Sequence, residues 1–68
     1  MLDELFEYHA PDAQQQAAFP PIRAAAKELA RAILVNCPAS ADRTFAIRQV
    51  RMAVMMANAA IALRGANL

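Results

Sequence analysis

The feature that most constrains this chain is the stretch from Ser40 to Arg64, which contains neither glycine nor proline. It predicts one long helix over about residues 40–64, roughly 36 Å in length. Ser40 can cap the first turn, and Gly65, the single glycine, is expected to end the helix. Apolar residues recur at alternating spacings of three and four and form one seam, made of Ile47, Val50, Val54, Ala57 and Ile61.

A second face of the same helix carries mostly polar and basic residues: Thr44, Arg48, Arg51, Met55 and Asn58. The remaining positions widen the apolar surface well beyond one stripe, through Met52, Ala53, Met56, Ala59 and Ala60. A helix that is apolar on most sides is typical of one covered by more than one neighbour. We therefore expect this helix to contact more protein than the rest of the chain can provide.

Chain length limits what else can cover that helix. A chain of 68 residues makes one domain and buries only a modest fraction of its surface when alone. Domains of this size usually need disulfides, a metal or self-association. Cys37 is the only cysteine and His9 the only histidine, which excludes an internal disulfide and leaves no metal cage. With 59% hydrophobic residues and no cofactor expected, self-association is the predicted solution.

The first part of the chain predicts an arm rather than a second long helix. Residues 1–9 form a short amphipathic piece, and Asp12 can cap a further turn over residues 13–18. Pro20 and Pro21 predict a break or kink near Phe19. We therefore expect an arm over residues 1–19 that precedes a helix over about residues 20–36.

The short segment Cys37–Ala39 makes the two long helices antiparallel. The predicted fold class is all-α, an antiparallel helical hairpin with a short N-terminal helical arm that assembles into a compact homo-oligomer. The first long helix has a predicted buried stripe (Ile22, Ala26, Leu29, Ile33) and, beside it, a basic row (Arg23, Lys27, Arg31). Glu28 can pair with Arg31 on the surface.

Charge is unevenly distributed along the chain. Residues 1–19 hold four acidic and no basic side chains, whereas residues 20–68 hold seven basic and two acidic ones. The net charge of +1 argues against binding to DNA or RNA polymers. The most apolar run, Met52–Leu63, is too short to span a membrane, and the acidic N-terminus is unlike a signal peptide. We expect a soluble, intracellular protein.

The sequence offers little for catalysis, so we do not expect an enzyme. A Cys37–His9 pair is the only conceivable nucleophile and base, and one glycine excludes a phosphate loop. Three sets of residues suit either ligand binding or a structural role. The basic row can hold phosphates or simply face solvent. Tyr8 and His9 can stack on a base or anchor the arm, and Asn58 can contact a ligand or fix the register of a helix bundle.

Four pieces of sequence together resemble a known family. They are FEYH near the start, Pro11, IRAAAKELA, and NCPASADRTFAIRQVRMAVMMANAAIA. Their order is similar to that in the small phage anti-CBASS sponge proteins of the second type. It also resembles the hairpin segment of one class of phage Thoeris anti-defence proteins. The resemblance covers roughly residues 6–64.

The resemblance implies a compact homo-oligomer, commonly a hexamer in such proteins, that sequesters cyclic di- and oligonucleotide immune messengers such as cGAMP without cleaving them. It implies action in the cytoplasm of the infected bacterial host. Tyr8 matches the aromatic residue that stacks on a base, and Lys27 matches a phosphate-binding residue. Further candidate ligand-binding residues, chosen because they lie near the matching motifs, are His9, Arg23, Asn58 and Arg64. The alternative is a helical structural or interaction protein that binds a host or virion protein.

Overall fold

The computed structural model describes residues 2–6 and 10–64, which form three helices. Helix α1 spans Leu2–Phe6, α2 spans Ala13–Asn36 and α3 spans Ala41–Ala62. The short connection between α2 and α3 folds them into a hairpin, and they are the helices that pack against each other. The described part measures 43 × 25 × 14 Å. The predicted all-α hairpin is therefore confirmed.

The predicted break near Phe19 is wrong. Helix α2 begins at Ala13, not near residue 20, and continues through both Pro20 and Pro21. Prolines in a helix interior cost several kcal/mol, because they remove backbone donors and crowd the preceding turn. The segment before the prolines must therefore be stabilised by other contacts, and the arm over residues 1–19 is shorter than expected.

Those contacts come from a reciprocal cap at the start of α2. The Asp12 carboxylate accepts a 2.8 Å bond from the Gln15 backbone N–H, and the Gln15 side-chain carbonyl accepts a 2.9 Å bond from the Asp12 N–H. The Gln15 amide also donates to the carbonyl of Ile61 on α3, at 2.8 Å. Arg64 donates to the second Asp12 oxygen, at 3.1 Å. We call this set of four residues the clasp.

The clasp is one of the contacts that offset the cost of the prolines in α2. Two backbone bonds are absent there, but the clasp and the contact with α3 hold the first two turns in helical geometry. The predicted cap at Asp12 is confirmed. Gln15 is only 8% exposed and is the one buried residue among those the structure describes.

Helix α3 begins as predicted but ends earlier. The Ser40 hydroxyl accepts a 3.1 Å bond from the Arg43 backbone N–H, which confirms the cap. The helix ends at Ala62, two residues before the predicted end. Arg64 adopts the left-handed conformation, with φ of 52°, that often follows the end of a helix. Gly65 lies outside the described residues.

The interface between α2 and α3 uses most of the predicted apolar positions. All five residues of the α3 seam are half-buried, as are Ile22, Ala26 and Ile33 on α2. Leu29 was wrongly included, because it is 54% exposed and the neighbouring Ala30 faces α3 instead. A small alanine at this position allows the helices to approach closely and turns the larger leucine outward.

The hairpin has no closed core of its own. Among the residues that the structure describes, no apolar side chain is fully buried. Large apolar side chains are exposed along the hairpin: Leu29, Leu34, Val35, Phe45, Met52, Met55 and Met56. Within the same residues, no helix is long and apolar enough to cross a membrane. The exposed apolar area fits the expected self-association, which stays a prediction.

Replacing Gln15 by Ala should lower the free energy of unfolding by about 1–2 kcal/mol, because the partly buried Ile61 carbonyl and the Asp12 N–H lose their side-chain partner. Denaturant unfolding followed by circular dichroism measures this change. The neighbouring Gln14→Ala is the matched control: Gln14 is exposed, and its loss should alter stability by less than about 0.5 kcal/mol. Equal effects of the two changes would contradict the role of the clasp.

The clasp should also make stability depend on acid pH. The Gln15 backbone N–H, and then the Arg64 side chain, stabilise the Asp12 carboxylate and lower its pKa below the ordinary value. The unfolded chain lacks these partners and therefore binds the proton at higher pH. The stabilisation is present above about pH 4 and is lost as the pH falls through the lowered folded pKa. Thermal unfolding at a series of pH values should show a flatter acid limb for Asp12→Asn than for the unaltered chain.

Candidate ligand-binding site

A cleft of about 450 Å³ lies between the two long helices near the clasp. Phe19 and Arg23 line it from α2, and Asn58, Ala59 and Ala62 line it from α3. We call it the Arg23 cleft. It brings together Arg23 and Asn58, two residues that the sequence placed far apart and proposed separately.

Asn58 gives the Arg23 cleft an unsatisfied polar atom. Its side-chain oxygen is buried and has no hydrogen-bond partner among the described residues. An unpaired buried acceptor costs about 1–3 kcal/mol, so such atoms are usually matched by a donor. The oxygen therefore suits a donor from outside the hairpin, either an N–H group of a ligand or a group of another subunit.

Lys27 lies one helical turn beyond Arg23, beside a second cleft of about 310 Å³. This second cleft is lined by Lys27 of α2 and by Arg51 and Met55 of α3, and its floor consists of small and branched apolar residues. We call it the Lys27 cleft. Arg23 and Lys27 are four residues apart on α2, about 6 Å along its axis, so they lie on one face of the helix. We refer to the Arg23 and Lys27 clefts together as the groove.

Arg51 is a candidate that the sequence reasoning missed. We placed it on the polar face of α3 with Asn58 but gave it no ligand role. Its spacing of seven residues from Asn58 was the available signal, because residues seven apart lie on one side of a helix. Phe19 was also missed, since it was considered only as the residue before the expected break.

Arg31 does not belong with Arg23 and Lys27. It forms the predicted ion pair with Glu28, and both side chains are more than half exposed. An exposed pair of this kind adds little stability. Arg31 also lines none of the clefts described here. The predicted basic row is therefore reduced to Arg23 and Lys27 on the groove.

The other predicted site residues have different outcomes. Arg64 is held by Asp12 in the clasp, so its side chain is engaged in joining the ends of the two helices. Tyr8 and His9 lie outside the described residues, and their proposed roles stay predictions.

The two clefts combine groups that suit a nucleotide. Arg23, Lys27 and Arg51 supply positive charge, and no acidic side chain is among the described residues that line either cleft. Phe19 offers an aromatic surface and Asn58 an amide. Guanidinium groups bind phosphate oxygens through paired hydrogen bonds, and aromatic rings stack on bases. The groove can therefore bind a phosphate and a base together.

Comparison with known proteins identifies a family. No curated protein and no solved structure matched the chain. The family model described as the Acb2/Tad1 hairpin domain matched residues 1–62, nearly the whole chain. This match agrees with the α2–α3 hairpin and covers both clefts. The chain therefore belongs to the Acb2/Tad1 hairpin domain family, a family of phage anti-defence proteins.

Proposed function

We propose that this protein binds cyclic di- and oligonucleotide immune messengers, such as the CBASS signal cGAMP, and sequesters them without cleavage. The observation that carries the proposal is the Arg23 cleft, where a guanidinium, an aromatic ring and an unpaired amide oxygen line one space. Membership of the family supports it. Its place of action would be the cytoplasm of the infected bacterium.

The chemistry of a cyclic dinucleotide fits these groups. Each phosphodiester carries one negative charge, which Arg23 and Lys27 can bind from adjacent turns of α2. The ring of Phe19 can stack on a base, a contact worth about 1–3 kcal/mol. The amide of Asn58 can pair with a base edge, and an exocyclic amino group would supply the donor that its buried oxygen lacks.

A single hairpin provides only one side of such a site. The Arg23 cleft is open to solvent, and the hairpin leaves many large apolar side chains exposed. In the proposed assembly, six copies of the chain associate through those apolar side chains and close the clefts between subunits. Tyr8 and His9 of an arm would then add an aromatic contact.

The proposal does not include catalysis. Phosphodiester hydrolysis needs an activated nucleophile and a group that receives or donates a proton. The described lining of the Arg23 and Lys27 clefts contains no cysteine, histidine, aspartate or glutamate. The groups present can hold the charge of a phosphodiester, and the proposed activity is reversible binding.

The exposed apolar surface also supports the alternative of a helical protein that binds a host or virion protein. Phe45 and Val35 are both strongly exposed near the hairpin turn, far from the Arg23 cleft. In that case cyclic nucleotides would not bind, whereas the proposed function requires that they do.

Titration calorimetry against a panel of cyclic di- and trinucleotides tests the proposal. We expect at least one to bind stoichiometrically, and heating followed by filtration to return it intact and able to activate its effector. If no cyclic nucleotide in the panel binds, the proposal is refuted and the alternative of a helical protein that binds a host or virion protein is favoured. Linear or monomeric products that increase with time would instead show turnover.

Substitutions locate the site within the groove. Arg23→Ala and Lys27→Ala should each weaken binding by roughly 10- to 100-fold, since each removes a charge-assisted hydrogen bond to phosphate. Arg31→Ala is the matched control, because it removes the same charge from the same helix outside the groove, and it should change affinity by less than about twofold. Equal losses in all three variants would mean that affinity depends only on net charge.

Asn58→Leu should have opposite effects on stability and binding. Removing the unpaired buried oxygen should raise the free energy of unfolding of the ligand-free protein by about 1 kcal/mol. The same change should weaken ligand binding, because the base edge loses its amide partner. Denaturant unfolding without ligand and calorimetry with ligand measure the two effects. A loss of stability would show that Asn58 already has a partner in the ligand-free assembly.

A further inference from the structure

Phe19 and Arg23 line the same cleft from opposite sides of the two prolines in α2. Phe19 directly precedes Pro20, and Arg23 comes two residues after Pro21. Because a proline nitrogen carries no hydrogen, the turn that holds Phe19 has fewer backbone hydrogen bonds to the rest of α2 than an uninterrupted helix would provide. The helix by itself therefore fixes the ring of Phe19 only weakly relative to the Arg23 guanidinium.

The side chain of Gln15 gives that turn a second support. Gln15 lies four residues before Phe19, on the same face of α2. Its amide donates a 2.8 Å hydrogen bond to the carbonyl of Ile61 on α3. Gln15 is buried, so water competes little for this bond. The bond thus ties the turn that carries Phe19 to the facing helix.

The acceptor of this bond belongs to the other wall of the Arg23 cleft. Ile61 directly precedes Ala62 and follows Asn58 by three residues, and both Ala62 and Asn58 line the cleft. Gln15 is not among the described lining residues. It therefore joins the two walls at one end of the cleft without occupying the space that a ligand would fill.

We propose that Gln15 is a positioning residue, whose bond to Ile61 holds the ring of Phe19 in place for ligand binding. With the ring held, a ligand can stack on it and reach Arg23 and Asn58 without first ordering the wall of the cleft. Ordering that wall during binding would reduce affinity, since the free energy that it requires is subtracted from that of the contacts. The inference rests on the proposed function for its ligand, and it assigns Gln15 no contact with that ligand.

The change Gln15→Glu separates the bond to Ile61 from the helix cap. A glutamate at this position can still accept from the Asp12 N–H, as in the usual capping box. Its carboxylate has no N–H to donate to the Ile61 carbonyl. Gln16→Ala is the matched control, because the Gln16 amide donates to the Pro11 carbonyl on the exposed surface of the same segment and does not cross to α3.

Spectra of the ligand-free protein test the placement of Phe19 directly. NMR of the full chain should show the Phe19 ring resonances displaced in Gln15→Glu, whereas the Met55 methyl resonance in the Lys27 cleft keeps its position. Gln16→Ala should displace neither. Unchanged Phe19 resonances in Gln15→Glu would overturn the proposal. If they move but the unaltered protein binds none of the cyclic nucleotides in the panel, the proposed function fails while the placement of Phe19 is supported.

Calorimetry with cGAMP tests whether that placement contributes to affinity. Gln15→Glu should weaken binding roughly fivefold or more in the unaltered chain but less than about twofold in a Phe19→Leu background, because without the ring its placement no longer matters. A general loss of stability would reduce affinity by the same factor in both backgrounds. Equal losses would therefore show that Gln15 does not act through Phe19.

The combination of Pro20→Ala and Pro21→Ala keeps the test decisive if Gln15→Glu unfolds the chain. Alanines restore the missing backbone donors at both positions and raise helix stability. The helix itself then holds the turn of Phe19, so Gln15→Glu should weaken cGAMP binding by less than about twofold in this background. Circular dichroism verifies the helix content. A loss of roughly fivefold or more would overturn the proposal, because the effect of Gln15 would then be independent of the prolines.

Discussion

The structure depends on the hydrogen bond from the Gln15 side chain to the carbonyl of Ile61. This 2.8 Å bond joins residues that are 46 positions apart, at the start of α2 and near the end of α3. Gln15 is also half of the cap with Asp12, so one side chain begins a helix and fixes it against its neighbour. The Arg23 cleft lies one to two turns away along α2. Its geometry is therefore set by a polar contact rather than by a hydrophobic core.

The absence of a closed core in the hairpin and the presence of a ligand groove are related. Small residues such as Ala26 and Ala30 let the helices approach closely, but they bury little apolar area. Larger side chains face outward, and polar groups such as Arg23 and Asn58 remain at the edge of the helix pair. Association of several copies would cover the outward-facing apolar side chains and enclose the polar groups. Stability and ligand binding would then be supplied by the same contacts between subunits.

Helix periodicity and caps made much of the fold predictable. The α3 seam, the Ser40 and Asp12 caps and the hairpin follow from local rules that act within a few residues. The continuity of α2 through Pro20 and Pro21 does not follow from such local rules. The contact between Gln15 and Ile61 supports it, and this contact joins residues too far apart for sequence spacing to reveal. Arg23 and Asn58 were proposed individually. Their meeting in one cleft, and the additions of Phe19 and Arg51, required the packing of α2 against α3.

The two prolines also divide α2 into separately cooperative parts. Pro20 and Pro21 cannot donate to the carbonyls of Gln16 and Ala17, so the ladder of backbone bonds is interrupted between the clasp and Arg23. The first turns can then open without unwinding the rest of the helix, once the clasp is released. Amide hydrogens of these turns would exchange with solvent by local opening, whereas those beyond Arg23 would need the hairpin itself to separate. A wall of the Arg23 cleft thus belongs to the less cooperative part of the helix.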